Sequence, residues 1–201
     1  NYRIMNAGII VDNELINDKR VLREIKIIRE AGHKVFVLCF GFEGILYHNP
    51  EDISVTRITI SRRLKNTLFF FLNIIPVYEW MWSRSIRKFI VRNNIAIIHS
   101  HDLYMSRASY KGIRKSGKNI PLILDLHENF PFAVSTYNWT NGIIRSMLSQ
   151  PGRWKKKESE YLNYADRIIV LSCEFIEDLV ARYPKLKKDR FAILPNMPDL
   201  A

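Results

Sequence analysis

Two short stretches, Ile97-Ile98-His99-Ser100-His101-Asp102 and Leu122-Ile123-Leu124-Asp125-Leu126-His127-Glu128-Asn129, each run an apolar, strand-like segment into a histidine followed by an acid. In open α/β folds the side chains just past the carboxyl ends of parallel strands project into the crevice where ligands bind. An imidazole there exchanges protons near neutral pH, which suits activation of a substrate hydroxyl. His127 is therefore the candidate catalytic group. Glu128 and Asn129 follow it and would either hold substrate hydroxyls or cap the next segment. His101 and Asp102 pose the same question one strand earlier, with the alternative that Asp102 accepts from the first amides of the next helix. His99 lies among apolar residues and reads as internal packing, while His33 and His48 read as surface or loop positions. No histidine and acid cluster has the spacing of a metal site, so no metal is expected.

These residues need a sheet to position them. Apolar segments of strand length alternate with longer stretches of helical period, which argues for βαβ units around a mostly parallel sheet with helices on both faces. The spacing predicts a short first strand that 6–11 either follows or completes, then strands over 34–40, 53–60, 95–98, 121–126, 167–171 and 191–194. It predicts a helix over 18–31 with Val21, Leu22, Ile25 and Ile28 on one stripe, ended by Gly32. A basic amphipathic helix buries Trp82, Ile86, Phe89 and Ile90. Further helices cover 104–115 and 174–182 and end over 159–165, with Ser172 as the cap of the last.

Composition narrows the partners. The 201 residues are 47% hydrophobic and carry a net charge of +11, which fits one globular domain with an anionic partner. Arg62, Arg63 and Lys65 precede the apolar run from Leu68, Arg84 to Arg92 follow it, and Arg153, Lys155, Lys156 and Lys157 form a further cluster. Such flanking suits a helix lying on an anionic membrane, although each cluster is also compatible with a solvated face and the run with internal packing. The run from Leu68 to Trp82 is interrupted by Asn73, Pro76 and Glu79 and is too short to span a bilayer. Nucleic acid is not expected, because no binding-module signature accompanies the charge. No GxGxxG or Walker motif occurs, so neither a dinucleotide nor ATP is expected as cofactor. Two cysteines, Cys39 and Cys173, suit a reducing, cytoplasmic compartment.

The order of the landmarks is more specific than any one of them. Asp18-Lys19-Arg20-Val21 with Glu24, Ala31-Gly32-His33-Lys34-Val35, Ser100-His101-Asp102, Asp125-Leu126-His127-Glu128, Tyr164-Ala165-Asp166-Arg167 through Ser172, and Ile193-Leu194-Pro195-Asn196 follow one another across nearly the whole chain. Together they resemble the amino-terminal half of family-four GT-B glycosyltransferases. The resemblance implies a Rossmann-like acceptor-side domain over 1–195, with 196–201 starting the linker to a donor-binding domain. It implies a retaining transferase that uses a nucleotide-sugar donor and a glycan or lipid-linked acceptor, without metal or cofactor, and inactive as this half alone. The position matching His127 faces the transferred sugar in such enzymes.

Relatives often carry a glycine-rich turn after the first strand that approaches donor phosphates; here Gly8 is the lone glycine, and it is kept as a candidate contact in the strand or its loop. Asp18 suits stabilisation of a helix dipole as well as the family pattern. Two other readings stay open: a stand-alone flavodoxin-like binding or regulatory domain, and half of a nucleotide-sugar epimerase. A receiver-type regulator would want an acidic pair after the first strand, for which Asp12 with Glu14 is a poor substitute.

Overall fold

A computed structural model describes residues 4–49, 53–71, 75–127 and 151–195. Seven strands form one sheet: β1 (Asn6–Ile10), β2 (Lys34–Phe42), β3 (Ser54–Ile60), β4 (Ile97–His101), β5 (Leu122–Asp125), β6 (Arg167–Val170) and β7 (Phe191–Ile193). All neighbours pair in parallel, in the order β3-β2-β1-β4-β5-β6-β7. The chain therefore winds outward from β1 in one direction, then returns to β4 and winds in the other. The chain leaves the carboxyl ends of β1 and β4 in opposite directions at that reversal, the place where such sheets bind ligands.

The helices are α1 (Lys19–Glu30), α2 (Arg62–Phe70), α3 (Val77–Arg92), α4 (Ser106–Ser116), α5 (Pro151–Asn163) and α6 (Cys173–Arg182). On one face α1 sets Val21 and Ile25 against Ile9, Val11, Val35, Val37 and Cys39. Its start is fixed by Asp18, whose carboxylate accepts from the Val21 amide at 3.0 Å, and its end by Gly32 at φ +84°. On the other face α3 lays Trp82, Ile86, Phe89 and Ile90 over Ile10, Leu38, Phe40 and Ile98, and this core continues under α4, α5 and α6. Ser172 caps α6 as the sequence suggests, accepting from the Phe175 amide at 3.3 Å.

Three local differences from the sequence reading have physical causes. Strand β4 runs on to His101, because polar His99 and Ser100 find partners inside the fold. Leu103–Met105 form a single 3-10 turn, and α4 begins only at Ser106. The basic stretch before the apolar run is itself helical: α2 is capped by the Ser61 hydroxyl, which accepts from the Leu64 amide. Leu68 and Phe69 pack against the core, whereas Leu64 is 51% and Trp80 57% exposed. Among the described residues no helix is long and apolar enough to cross a membrane. The expected linker start at 196–201 lies outside the described residues.

Candidate functional site

Period-two alternation places His99 and His101 on the same face of β4, and the register sets His101 beside Asp125 of β5. Helix α1 packs on that face and delivers Arg20 and Glu24, one turn apart. The result is a buried cluster in which His101 is 1%, Asp125 0% and Glu24 3% exposed. Arg20 forks onto Asp125, its Nη2 lying 2.8 Å from Oδ1 and 3.0 Å from Oδ2, and its Nε lies 3.1 Å from Glu24 Oε1. Its Nη1 donates to the Leu194 carbonyl at 3.1 Å. His101 Nε2 is 3.4 Å from Glu24 Oε2, and His99 Nε2 is 3.6 Å from Asp125 Oδ2. The two rings stack at 4.7 Å between centroids.

The cluster extends past the end of β5 through one bond. His127, half-buried just past β5, shares a 2.6 Å hydrogen bond between its Nε2 and His101 Nδ1. Burial pushes the His101 imidazole well below its ordinary 6.5, helped by its histidine neighbours. Burial likewise lowers His127, against the pull of Asp125. Both rings are therefore neutral at physiological pH. Burial followed by the adjacent Asp125 pushes Glu24 up to about 9, so it holds a proton. For Asp125, burial acts upward but is outweighed by its neighbours, His99 first with its Nε2 3.6 Å from Oδ2, and the carboxylate stays ionised against Arg20. Within the trio of Arg20, Glu24 and Asp125, one proton, one carboxylate and one guanidinium balance.

The candidates named from sequence fall unequally. His127 and His101 meet each other. Glu128 and Asn129 lie outside the described residues. Asp102 sits at φ +68°, but its carboxylate makes no cap bond to the following turn; it accepts from the Tyr104 hydroxyl at 3.0 Å instead. The capping alternative is thereby corrected. His99 is buried as expected, and it faces Glu24 and Asp125 as well. Gly8 takes the strand alternative: it is paired within β1, and an added Cβ would lie 2.8 Å from the Phe89 ring, so close packing of α3 accounts for it. Asp18 plays its capping role.

Sequence spacing shows no metal pattern, yet Glu24, His99, His101 and Asp125 bring one donor atom each within 4.8 Å of one another. Such a set could enclose a cation, but the Arg20 guanidinium already lies against both carboxylates. Reading along the chain also missed a second polar group at the sheet reversal. Buried Asp12, just after β1, accepts from the Tyr78 hydroxyl and lies 4.0 Å from Lys65 Nζ. Burial raises the Asp12 carboxyl, against Lys65 and the tyrosine hydroxyls.

Fold and site together define a Rossmann-like α/β domain with its polar machinery at the strand ends. Solved structures share this architecture. The apo form of the lipopolysaccharide outer core galactosyltransferase WaaB superposes with TM-score 0.61 at 12% identity, covering 96% of this chain and 46% of that one. A glycosyltransferase from Rickettsia africae ESF-5 gives TM-score 0.61 at 14% identity, covering 96% and 43%. Sucrose-phosphate synthase from Thermosynechococcus elongatus gives 0.60 at 14%, covering 95% and 48%. These are GT-B glycosyltransferases, and the chain spans about half their length, matching one half of the GT-B fold. No curated protein matches the sequence. The model of Glycosyltransferase Family 4 matches residues 19–201, and the chain belongs to that family.

Proposed function

We propose that this domain is the acceptor-binding half of a retaining glycosyltransferase, which moves a sugar from a nucleotide-sugar donor to a glycan or lipid-linked acceptor. The donor would be held by a second domain. The observation that carries the reading is His127, a neutral imidazole at the end of β5 with one ring nitrogen held by His101. That leaves Nδ1 to meet a hydroxyl or the transferred sugar. His101 and Asp102 stand at the neighbouring strand end, and Glu128 and Asn129, next after His127 in the sequence, are assigned to acceptor hydroxyls. The chemistry assigned to these residues needs neither metal nor cofactor.

A lipid-linked acceptor is supported by the surface. Helices α2 and α3 expose Leu64, Val77 and Trp80 beside exposed Arg62, Arg63 and Arg84, with the Arg84 guanidinium 5.7 Å over the Trp80 ring. Apolar side chains among cations suit peripheral contact with anionic headgroups, on the cytoplasmic side of a membrane.

The test uses the full-length protein, a panel of nucleotide sugars, and glycan or polyprenyl-linked acceptors. Transfer is expected with an acceptor, and His127→Ala is expected to lower it by at least about tenfold. Unchanged turnover in the variant rejects the role of His127. A nucleotide sugar altered in configuration without any acceptor would instead favour an epimerase.

A further inference from the structure

We propose that His101 is the positioning residue of His127, and that Glu24 and Asp125 fix the order of protons along the row so that His127 presents an unprotonated Nδ1 to the crevice. The proposal deepens the transferase reading, and its spectroscopic arm stands apart from it.

The groups that face the row are Asp18, Arg20 and Glu24 from α1, His99 and His101 from β4, and Asp125 at the end of β5. Without its proton, Glu24 would leave two carboxylates against one guanidinium in a buried site, a net negative charge with no solvent to screen it. One proton closes the balance. A divalent ion in its place would leave a net positive charge beside Arg20, which argues for the proton as the occupant.

The direction of each bond then follows. A Glu24 carboxyl oxygen lies within 4.8 Å of one of Asp125, and a bond to an ionised acceptor is about twice as strong as one to a neutral ring. The Glu24 proton therefore points to Asp125. Glu24 Oε2 is left as an acceptor, 3.4 Å from His101 Nε2, so that nitrogen carries the hydrogen. His101 is neutral, so its Nδ1 is bare and must accept the 2.6 Å bond from His127 Nε2–H. His127, also neutral, then keeps a bare Nδ1. A ring so held accepts the proton of a substrate hydroxyl without first having to rotate or change tautomer.

The test is long-range proton–nitrogen correlation NMR on the 15N-labelled protein, from pH 6 to pH 10. A slowly exchanging downfield proton on His127 Nε2 and an unprotonated His127 Nδ1 are expected at neutral pH. The His101 and His127 ring signals are expected to shift together as Glu24 ionises near pH 9. In Glu24→Gln the shared proton should persist and the high-pH shift should vanish; in His101→Phe the shared proton should be lost. A protonated His127 Nδ1, or a high-pH shift that survives Glu24→Gln, overturns the proposal. So does stoichiometric Co2+ uptake with a tetrahedral spectrum that Glu24→Gln abolishes, since a metal would then be the occupant. In the full-length protein, His101→Phe should lower kcat more than tenfold with KM within about twofold. NMR results as expected with no transfer by wild type would sink the transferase reading alone, whereas transfer with a protonated Nδ1 would sink this proposal alone.

Discussion

Glu24 offers a measurement that needs no knowledge of substrate. Its carboxyl is pushed up to about 9 in the fold, by burial first and by Asp125 second, whereas in an unfolded chain it ionises near 4.5. Between those values the folded state holds a proton that the unfolded state has released. Rising pH therefore favours unfolding, with a slope of about 1.4 kcal/mol per pH unit for one proton. The stability is fully present below the unfolded value and lost as pH climbs to the folded one. From pH 7 to pH 8.5, where the lowered His101 and His127 no longer titrate, wild type should lose about 2 kcal/mol relative to Glu24→Gln. For a domain of 201 residues that is about 4–8 °C in Tm, read as the change in the gap between the two proteins. Any constant cost of the glutamine cancels from that difference. Parallel Tm curves for the two proteins across the window would refute the charge assignment of the cluster.

Other perturbations probe the frame. Gly112→Ala sets a Cβ 2.6 Å from Ile86 Cγ2 and 3.2 Å from the Ser83 carbonyl, so it should wedge α3 from α4 and cost about 1–3 kcal/mol in chemical denaturation. Ser172→Ala removes the cap of α6 and should cost about 1 kcal/mol in the same assay. The protein should sediment with acidic vesicles at low salt and be released at high salt, and Trp80→Ser should weaken the association. No binding at low salt removes the membrane contact.

Much of the fold was legible because its signals are local. The apolar stripe of α1, the stop at Gly32, the cap at Ser172 and the apolar strands each depend on neighbours within a turn or two. His127 and His101 were also legible, as polar groups ending apolar strands. Their partners were not. Glu24 looks like an ordinary helix residue and Asp125 like a strand terminus; only the parallel register and the packing of α1 bring them together, across about a hundred residues. His99 was expected inside and is, but apolar neighbours in sequence say nothing of the carboxylates on the adjoining elements. Asp102 suggested a cap by its position before a helix, but its left-handed backbone turns it to Tyr104. Gly8 resembled a ligand-approach residue until the Phe89 ring supplied a packing reason.

The Arg20 side chain touches three elements that are far apart along the polypeptide: its own helix through Glu24, the end of β5 through Asp125, and the carbonyl of Leu194 as the chain leaves β7. Only a flat, five-donor head can serve three acceptors in different directions; a lysine would have to abandon at least one. The exit from the last strand and the histidine row are thus clasped by a single side chain. A shift of the chain at Leu194 would therefore bear on the same guanidinium that holds the Asp125 carboxylate.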